Sequence, residues 1–152
     1  MSIHTALVKT EEQKISIEKA KNFISSGDYG AESIFIGRVR NKNSGKKVTA
    51  VTYDAHDQAV LKSFQSICND AKKKFDNNAK IFLEHAKGYA AVGEISILIA
   101  IGSEHRDEAF KMCRYILEEI KHKAPIWKKE HYTEGNEQWL PGHSLRPKEE
   151  IK

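Results

Sequence analysis

Glu94-Ile95-Ser96-Ile97-Leu98-Ile99-Ala100-Ile101 places isoleucine at every second position. Successive side chains of a strand point to opposite faces, so this period of two predicts a strand with at least one deeply buried face. Just upstream, Ile81 to His85 reads as a short strand. Just downstream, Ser103 can cap a third helix that turns Ala109, Phe110, Cys113, Ile116, Leu117 and Ile120 inward and must stop before Pro125. Beyond that proline, Ile126 to Tyr132 and Gln138 to Leu140 flank Thr133-Glu134-Gly135-Asn136 as a terminal hairpin, and the last ten residues form a polar, loose tail.

Toward the N-terminus, Asp57 to Phe75 has helical spacing, with Val60, Phe64, Ile67, Cys68 and Ala71 on one face. Ala31 to Val39 is rich in Ile, Phe and Val and reads as a strand, with Val48 to Tyr53 as its hairpin partner across the basic turn Asn41 to Lys47. Ile15 to Ile24 forms a first helix on Ile17, Ala20, Phe23 and Ile24, N-capped by Ser16 and ended by Ser25-Ser26-Gly27-Asp28. Helix, strand, strand, helix, strand, strand, helix and hairpin in that order predict an α+β sandwich, with helices covering a mixed or antiparallel sheet.

A chain of 152 residues fits one domain, here 1–152 with a core over about 16–140. At that size it buries about 70% of its unfolded surface without staples. Hydrophobic content of 39% with 30% charged residues is that of a globular protein and excludes a disordered one. A net charge of +4 and a pI near 9.0 favour anionic partners: nucleotides, phosphorylated metabolites, RNA or an acidic protein. Cys68 and Cys113 have no C-x-x-C partner, which excludes a disulfide framework and leaves two inert thiols in helical patterns. Met1 to Thr5 lacks the charged and apolar regions of a signal peptide, and the apolar run Ala90 to Ile101 is too short to span a bilayer, so a cytoplasmic location is expected.

The third helix runs into Lys121-His122-Lys123-Ala124-Pro125-Ile126-Trp127-Lys128-Lys129-Glu130. Lysines at a helix C-terminus complement its partial negative charge, which would explain part of the cluster. Ammonium groups gathered beside a tryptophan also prepare a place for an anion. Two other stretches are ready for one. In Arg38-Val39-Arg40 the two guanidiniums lie two residues apart, hence on one face of a strand, where they can fork a phosphate. His105-Arg106 opens a helix whose N–H groups favour anions. A helix from Asp107 to Lys123 is about 25 Å long at 1.5 Å per residue, so His105 and Lys121 cannot meet in one subunit, and a shared pocket would draw on a second.

Other chemistries lack their signatures. No pair among His85, His105, His122 and His131 makes an H-E-x-x-H or Cys/His set, so no metal site is expected. There is no G-x-S-x-G elbow, and Gly37 and Gly45 build no phosphate-cradling glycine loop. Glu118 and Glu119 read as a solvated helical pair.

Phe35-Ile36-Gly37-Arg38-Val39-Arg40-Asn41, Ser103-Glu104-His105-Arg106-Asp107-Glu108-Ala109-Phe110 and the lysine segment 121–130 resemble, in order and interval, the large catalytic subunit of molybdopterin synthase. The resemblance covers roughly Ser16 to Leu140, and Lys-x-x-x-Pro-x-Trp-Lys-x-Glu is its most specific part. It implies a two-layer hammerhead-type α+β fold. It also implies a sulfurtransferase of molybdenum cofactor biosynthesis that converts cyclic pyranopterin monophosphate to molybdopterin, with no cofactor of its own. Two sulfurs would come from the C-terminal Gly-Gly thiocarboxylate of a small ubiquitin-like subunit, in a heterotetramer built on a dimer of large subunits. By the same resemblance Lys121 and Lys128 would be catalytic, and Arg38, Val39, Arg40, His105, Arg106, Lys129 and Glu130 would bind substrate. The chain departs from the family at Ala86, where arginine is usual, and at His56 and Ala59, where tyrosine and methionine are.

The alternative is a small basic RNA-binding module, which the turn Lys42 to Lys47 and the pI would permit. Against it, the strands carry no RNP-like aromatic pattern.

Overall fold

A computed structural model describes residues 1–133 and the backbone of residues 137–139. The isoleucine-rich stretch is strand β6 (Ile95–Ser103), and it lies inside the sheet rather than at its edge. β2 (Ala31–Arg38) pairs with it antiparallel on one side, and β5 (Lys80–Ala91) does so on the other. Leu98, Ile99, Ala100 and Ile101 are all buried, so both faces are covered where alternation required only one. Helix α1 (Ile17–Ile24) covers the face bearing Phe82, whose ring tilts against Phe23 of that helix. Helices α2 (Asp57–Lys74) and α3 (Arg106–Lys123) pack on each other, α2 also on β1 (Ile3–Lys9) and α3 on β2 and β6.

β5 runs well past the predicted Ile81–His85 and joins two halves of the sheet. Its first part pairs with β6 and, in parallel, with β1, from Ile3 opposite Ile81 to Lys9 opposite Lys87. Its last residues pair instead with β4 (Lys46–Ala55). The change of partner falls at Gly88, whose φ of +111° suits glycine, and where a Cβ would stand 2.6 Å from the Thr10 hydroxyl oxygen. The sheet order is β2-β6-β5-β4-β7-β8, where β7 is Ile126–Tyr132 and β8 is Glu137–Trp139.

Besides the length of β5, three expectations need correction and one strand was missed. β2 does not form a hairpin with β4. The long-range partner β6 takes its edge, and β4 instead turns back on the two-residue β3 (Lys42–Asn43) through Ser44 and Gly45, both at positive φ. β1 was not predicted at all. Ser103 does not cap α3: its hydroxyl donates to Asp76 at 2.6 Å, and His105 holds the N-cap position without a side-chain bond. Phe110 faces solvent, 65% exposed, because the inward face of α3 runs through Ala109, Met112, Cys113, Ile116 and Ile120.

Other expectations hold. Ser16 caps α1 by accepting the Lys19 N–H, α2 buries the five predicted residues, and α3 ends two residues before Pro125. β7 and β8 pair antiparallel as the terminal hairpin. The turn residues 134–136, Leu140 and the polar tail lie outside the described residues.

Candidate active site

Pro125 organises the lysine segment. The residue before a proline is steered out of the helical region, and Ala124 takes φ −77° and ψ 129°. The chain leaves α3 there and enters β7 at Ile126, directly after the proline. Strand alternation then divides the cluster by face. Lys128 lies opposite Tyr53 of β4 and Glu130 opposite Val51, so both look to the side that Tyr53 and Val51 occupy. Lys129 pairs with Thr52 on the reverse side, shared with His131, whose imidazole Nε2 lies 2.7 Å from the Thr52 hydroxyl.

The Lys128 side opens a pocket of about 60 Å³. Arg38, Val39 and Arg40 enter it from the end of β2, Lys42 and Asn43 from β3, Val48, Val51 and Tyr53 from β4, and Lys128 and Glu130 from β7. Four cations therefore line it, Arg38, Arg40, Lys42 and Lys128, against the single carboxylate of Glu130. Burial pushes the Lys128 ammonium below its usual pKa; Glu130 opposes that, while the charges of Arg40 and Lys121 push it lower still. Lys121, in the last turn of α3, thus acts on the same space as Lys128. Glu130 is 2% exposed and accepts a 2.6 Å hydrogen bond from the Asn43 amide.

Val39 is buried between the two exposed arginines and held at both backbone groups, its N–H donating to Glu94 and its carbonyl accepting from Gly93. Arg38 also donates to the Gly93 carbonyl at 2.8 Å. It stands between the small pocket and a groove of about 260 Å³ lined by Thr10, Gln13, Lys14, Ile15, Glu94 and Ile95 among others.

The structure brings together Arg38, Val39, Arg40, Lys128 and Glu130, with Lys121 acting on Lys128. It does not bring in Lys129, nor His105 and Arg106. His105 is exposed beside Glu104, and Arg106 begins α3, a helix of 18 residues and about 27 Å. Asn43, Tyr53 and Lys42 were missed as site residues. The basic turn signalled Lys42 and Asn43 only as a turn, and Tyr53 read only as a strand residue, since nothing local shows that β4 lies against β7.

The departures at Ala86, His56 and Ala59 fall outside the small pocket. Ala86 is buried, and the neighbouring Lys87 bonds Asp57 in the first turn of α2. His56 caps α2, accepting the Ala59 N–H through Nδ1. Among the described residues, no three His, Cys, Asp or Glu side chains come together as metal ligands would. Phe64 and Phe82 are fully buried and Tyr53 nearly so, which leaves those rings in the core and not on an RNA-stacking platform.

Fold and pocket define a small α+β protein that gathers lysines and arginines around a site for an anion. The chain matches the MoaE protein family over residues 10–123. It is 40% identical over 131 residues to the molybdopterin synthase catalytic subunit of Synechococcus elongatus, covering 86% of this chain and 79% of that protein. Its fold is similar to molybdopterin synthase from Staphylococcus aureus, with a TM-score of 0.81 and 27% identity over 93% of this chain and 96% of that one. It is also similar to a chain in a complex of subunits 1 and 2 of the molybdopterin-converting factor from Helicobacter pylori, with a TM-score of 0.71 and 20% identity over 96% and 94% of the two chains. The chain belongs to the MoaE family, the catalytic subunits of molybdopterin synthase.

Proposed function

We propose that this chain converts cyclic pyranopterin monophosphate to molybdopterin by moving two sulfurs from the C-terminal thiocarboxylate of a small ubiquitin-like subunit, with Lys121 and Lys128 as the catalytic lysines. One observation supports the site assignment: Lys128 is half-buried beside Arg38, Arg40 and Glu130 and lies within the field of Lys121. Both reactants are anions there. The cations compensate the cyclic phosphate and the thiocarboxylate, and an ammonium of lowered pKa is a ready proton donor to a departing oxygen. Lys121 steers the thiocarboxylate and assists acyl release, while Lys128 serves the pterin side. A 60 Å³ pocket has room for an anionic group, not for a whole pterin, and the groove beyond Arg38 offers the remaining space.

His105 and Arg106 join the site from a second large subunit, since one helix separates them from Lys121. The small subunit completes a heterotetramer, a partnership supported by the complex of the two Helicobacter pylori subunits. We treat residues 1–152 as one domain and place it in the cytoplasm; among the described residues no helix is long and apolar enough to cross a membrane, and both cysteines are free and buried.

The test mixes the purified chain with thiocarboxylated small subunit and the pyranopterin precursor and assays for dithiolene product. Lys121→Ala and Lys128→Ala should abolish product while the two-subunit complex still assembles. Full turnover by either variant would remove that lysine from the mechanism. Mixing Lys128→Ala chains with His105→Ala chains should restore product in mixed dimers, and failure to do so would count against the shared pocket.

A further inference from the structure

We propose that Asn43 is a positioning residue of the anion pocket: its side-chain amide ties the buried Glu130 carboxylate to the β3–β4 turn and so keeps that carboxylate from entering the pocket in place of an anionic substrate. The inference rests on the function proposed above for the use of the pocket by substrate. The tie itself is independent of that function.

The two residues of β3 pair with Lys47 and Lys46 of β4, around a turn in which Ser44 and Gly45 both take positive φ. So short a ladder fixes the turn weakly on its own. The Asn43 side chain attaches it to β7, its Nδ2 donating to Glu130 Oε1 at 2.6 Å across 87 positions of the chain. An ionised carboxylate can only accept, so the amide must present its nitrogen and not its oxygen. Lys46 adds a second contact between the same parts, its ammonium 5.2 Å from the centre of the Tyr132 ring, two residues beyond Glu130 on β7. A carboxylate as buried as Glu130 needs such a donor. A lysine at position 43 would supply one together with a charge that cancels the carboxylate. The amide leaves the negative charge in place, and that charge opposes the burial that lowers the Lys128 pKa.

Where that carboxylate sits matters because of what surrounds it. Lys128 looks to the same side of β7, Arg38 and Arg40 reach the pocket from the end of β2, and Lys42 reaches it from β3. Lys121 adds its charge from α3. A carboxylate released from Asn43 would be drawn toward these cations and would take the place they hold for an anion. A pocket of about 60 Å³ has room for one anionic group, so the two occupants exclude each other. Held at the wall, Glu130 tempers the repulsion among the cations and leaves the space between them open.

Two variants test this, each also made in Glu130→Gln protein. Asn43→Leu removes the donor and keeps the size of the side chain, and Asn43→Ala removes it without bulk, so a misfolded leucine variant leaves the test intact. A hydrogen bond to a charged group corresponds to about a tenfold preference or more. Apparent affinity falls with the fraction of molecules whose pocket stands open. Inorganic phosphate, titrated calorimetrically, should therefore bind each Asn43 variant about tenfold more weakly. With glutamine at position 130 the loss should shrink to less than about twofold, because a neutral side chain is not drawn to the cations. An NMR titration of the Lys128 side chain without phosphate should show its pKa raised in the Asn43 variants, since the freed carboxylate comes nearer; a turn that Asn43 merely stabilises would not raise it. In the reconstituted reaction, KM for the pyranopterin monophosphate should rise by the same factor as the phosphate affinity falls. Wild-type protein that makes no product would overturn the proposed function, and the two titrations would still decide the role of Asn43. Unchanged phosphate affinity in the Asn43 variants, an equal loss in the Glu130→Gln background, or a Lys128 pKa that stays or falls would each overturn the positioning role.

Discussion

His85 should make the protein lose stability between about pH 6.5 and about pH 4, and the size of that loss follows from its surroundings. The imidazole is 1% exposed, and burial pushes its pKa down from 6.5 to about 4, against a smaller opposing effect of its bond to the Ala86 carbonyl. That bond, 2.7 Å from Nδ1, puts the proton of the neutral ring on Nδ1. The folded protein therefore keeps His85 neutral until about pH 4, whereas the unfolded chain protonates it from about pH 6.5 downward. Above that window both states hold the neutral ring and nothing is lost. Within it the unfolded state binds the extra proton, so stability falls as the pH falls. At about 1.36 kcal/mol per pH unit the full loss is about 3 kcal/mol.

Carboxylates also titrate toward the acid end, so the measurement needs a difference. His85→Asn keeps a side-chain N–H near the Ala86 carbonyl and cannot take up the proton. Urea unfolding of both proteins across the window should show the wild type losing about 3 kcal/mol more than the variant. The variant will start lower at neutral pH, because it leaves space beside the Tyr53 ring, and only the slopes matter. Parallel curves would show that the buried imidazole is protonated as readily as an exposed one, and the packing account of His85 would fail.

Three further outcomes follow from the same geometry. Glu130→Gln removes the one charge that raises the Lys128 pKa, so if the ammonium is the working form, the alkaline limb of kcat/KM against pH moves to lower pH; an unmoved limb would detach Lys128 from it. Gly37→Ala sets a Cβ against Ile97 and should cost about 1–3 kcal/mol of overpacking, read as a lower urea midpoint, with no change pointing to a looser bulge. Lys123→Ala breaks only an exposed pair with Glu119 and should leave both unfolding and turnover in place, in contrast to Lys121→Ala two residues earlier; equal losses from both would mean that the cluster acts as bulk charge.

The elements with a strong local period were legible in the sequence: α2 and α3, the β6 strand, and the helix stop at Pro125. What the sequence could not show was partnership. β2 and β4 flank a basic turn and look like a hairpin, yet the turn closes only on two residues of β3, and β2 pairs with a strand some sixty positions away in the chain. β1 escaped notice because Ile3 to Lys9 mixes His and Thr among its apolar residues and owes its place to the parallel pairing with β5. β5 looked short because Lys87-Gly88 reads as a break, although the glycine lets the strand change partners there. Site residues were legible where a motif carried them, as with Arg38, Arg40 and Lys128. Tyr53 and Asn43 belong to the pocket only through the pairing of β4 with β7 and through the Glu130 carboxylate.

The lysine segment holds two kinds of charge, and the fold separates them. Lys123 bonds Glu119 one turn back on an exposed helix surface, as a helix end requires. Lys121 and Lys128 instead press their charges on one another near Arg40, an arrangement that costs free energy when the pocket holds no anion. Glu130 offsets part of that cost and is too deeply buried, and too well held by Asn43, to leave. One carboxylate against so many cations leaves the balance positive, so an entering anion relieves the repulsion and raises the proton affinity of Lys128. On the proposed function, the substrate's own charge then helps hold on Lys128 the proton it donates. The charge of Lys128 therefore responds to the arrival of the group it serves, and a permanently saturated ion pair at this position could not respond in that way.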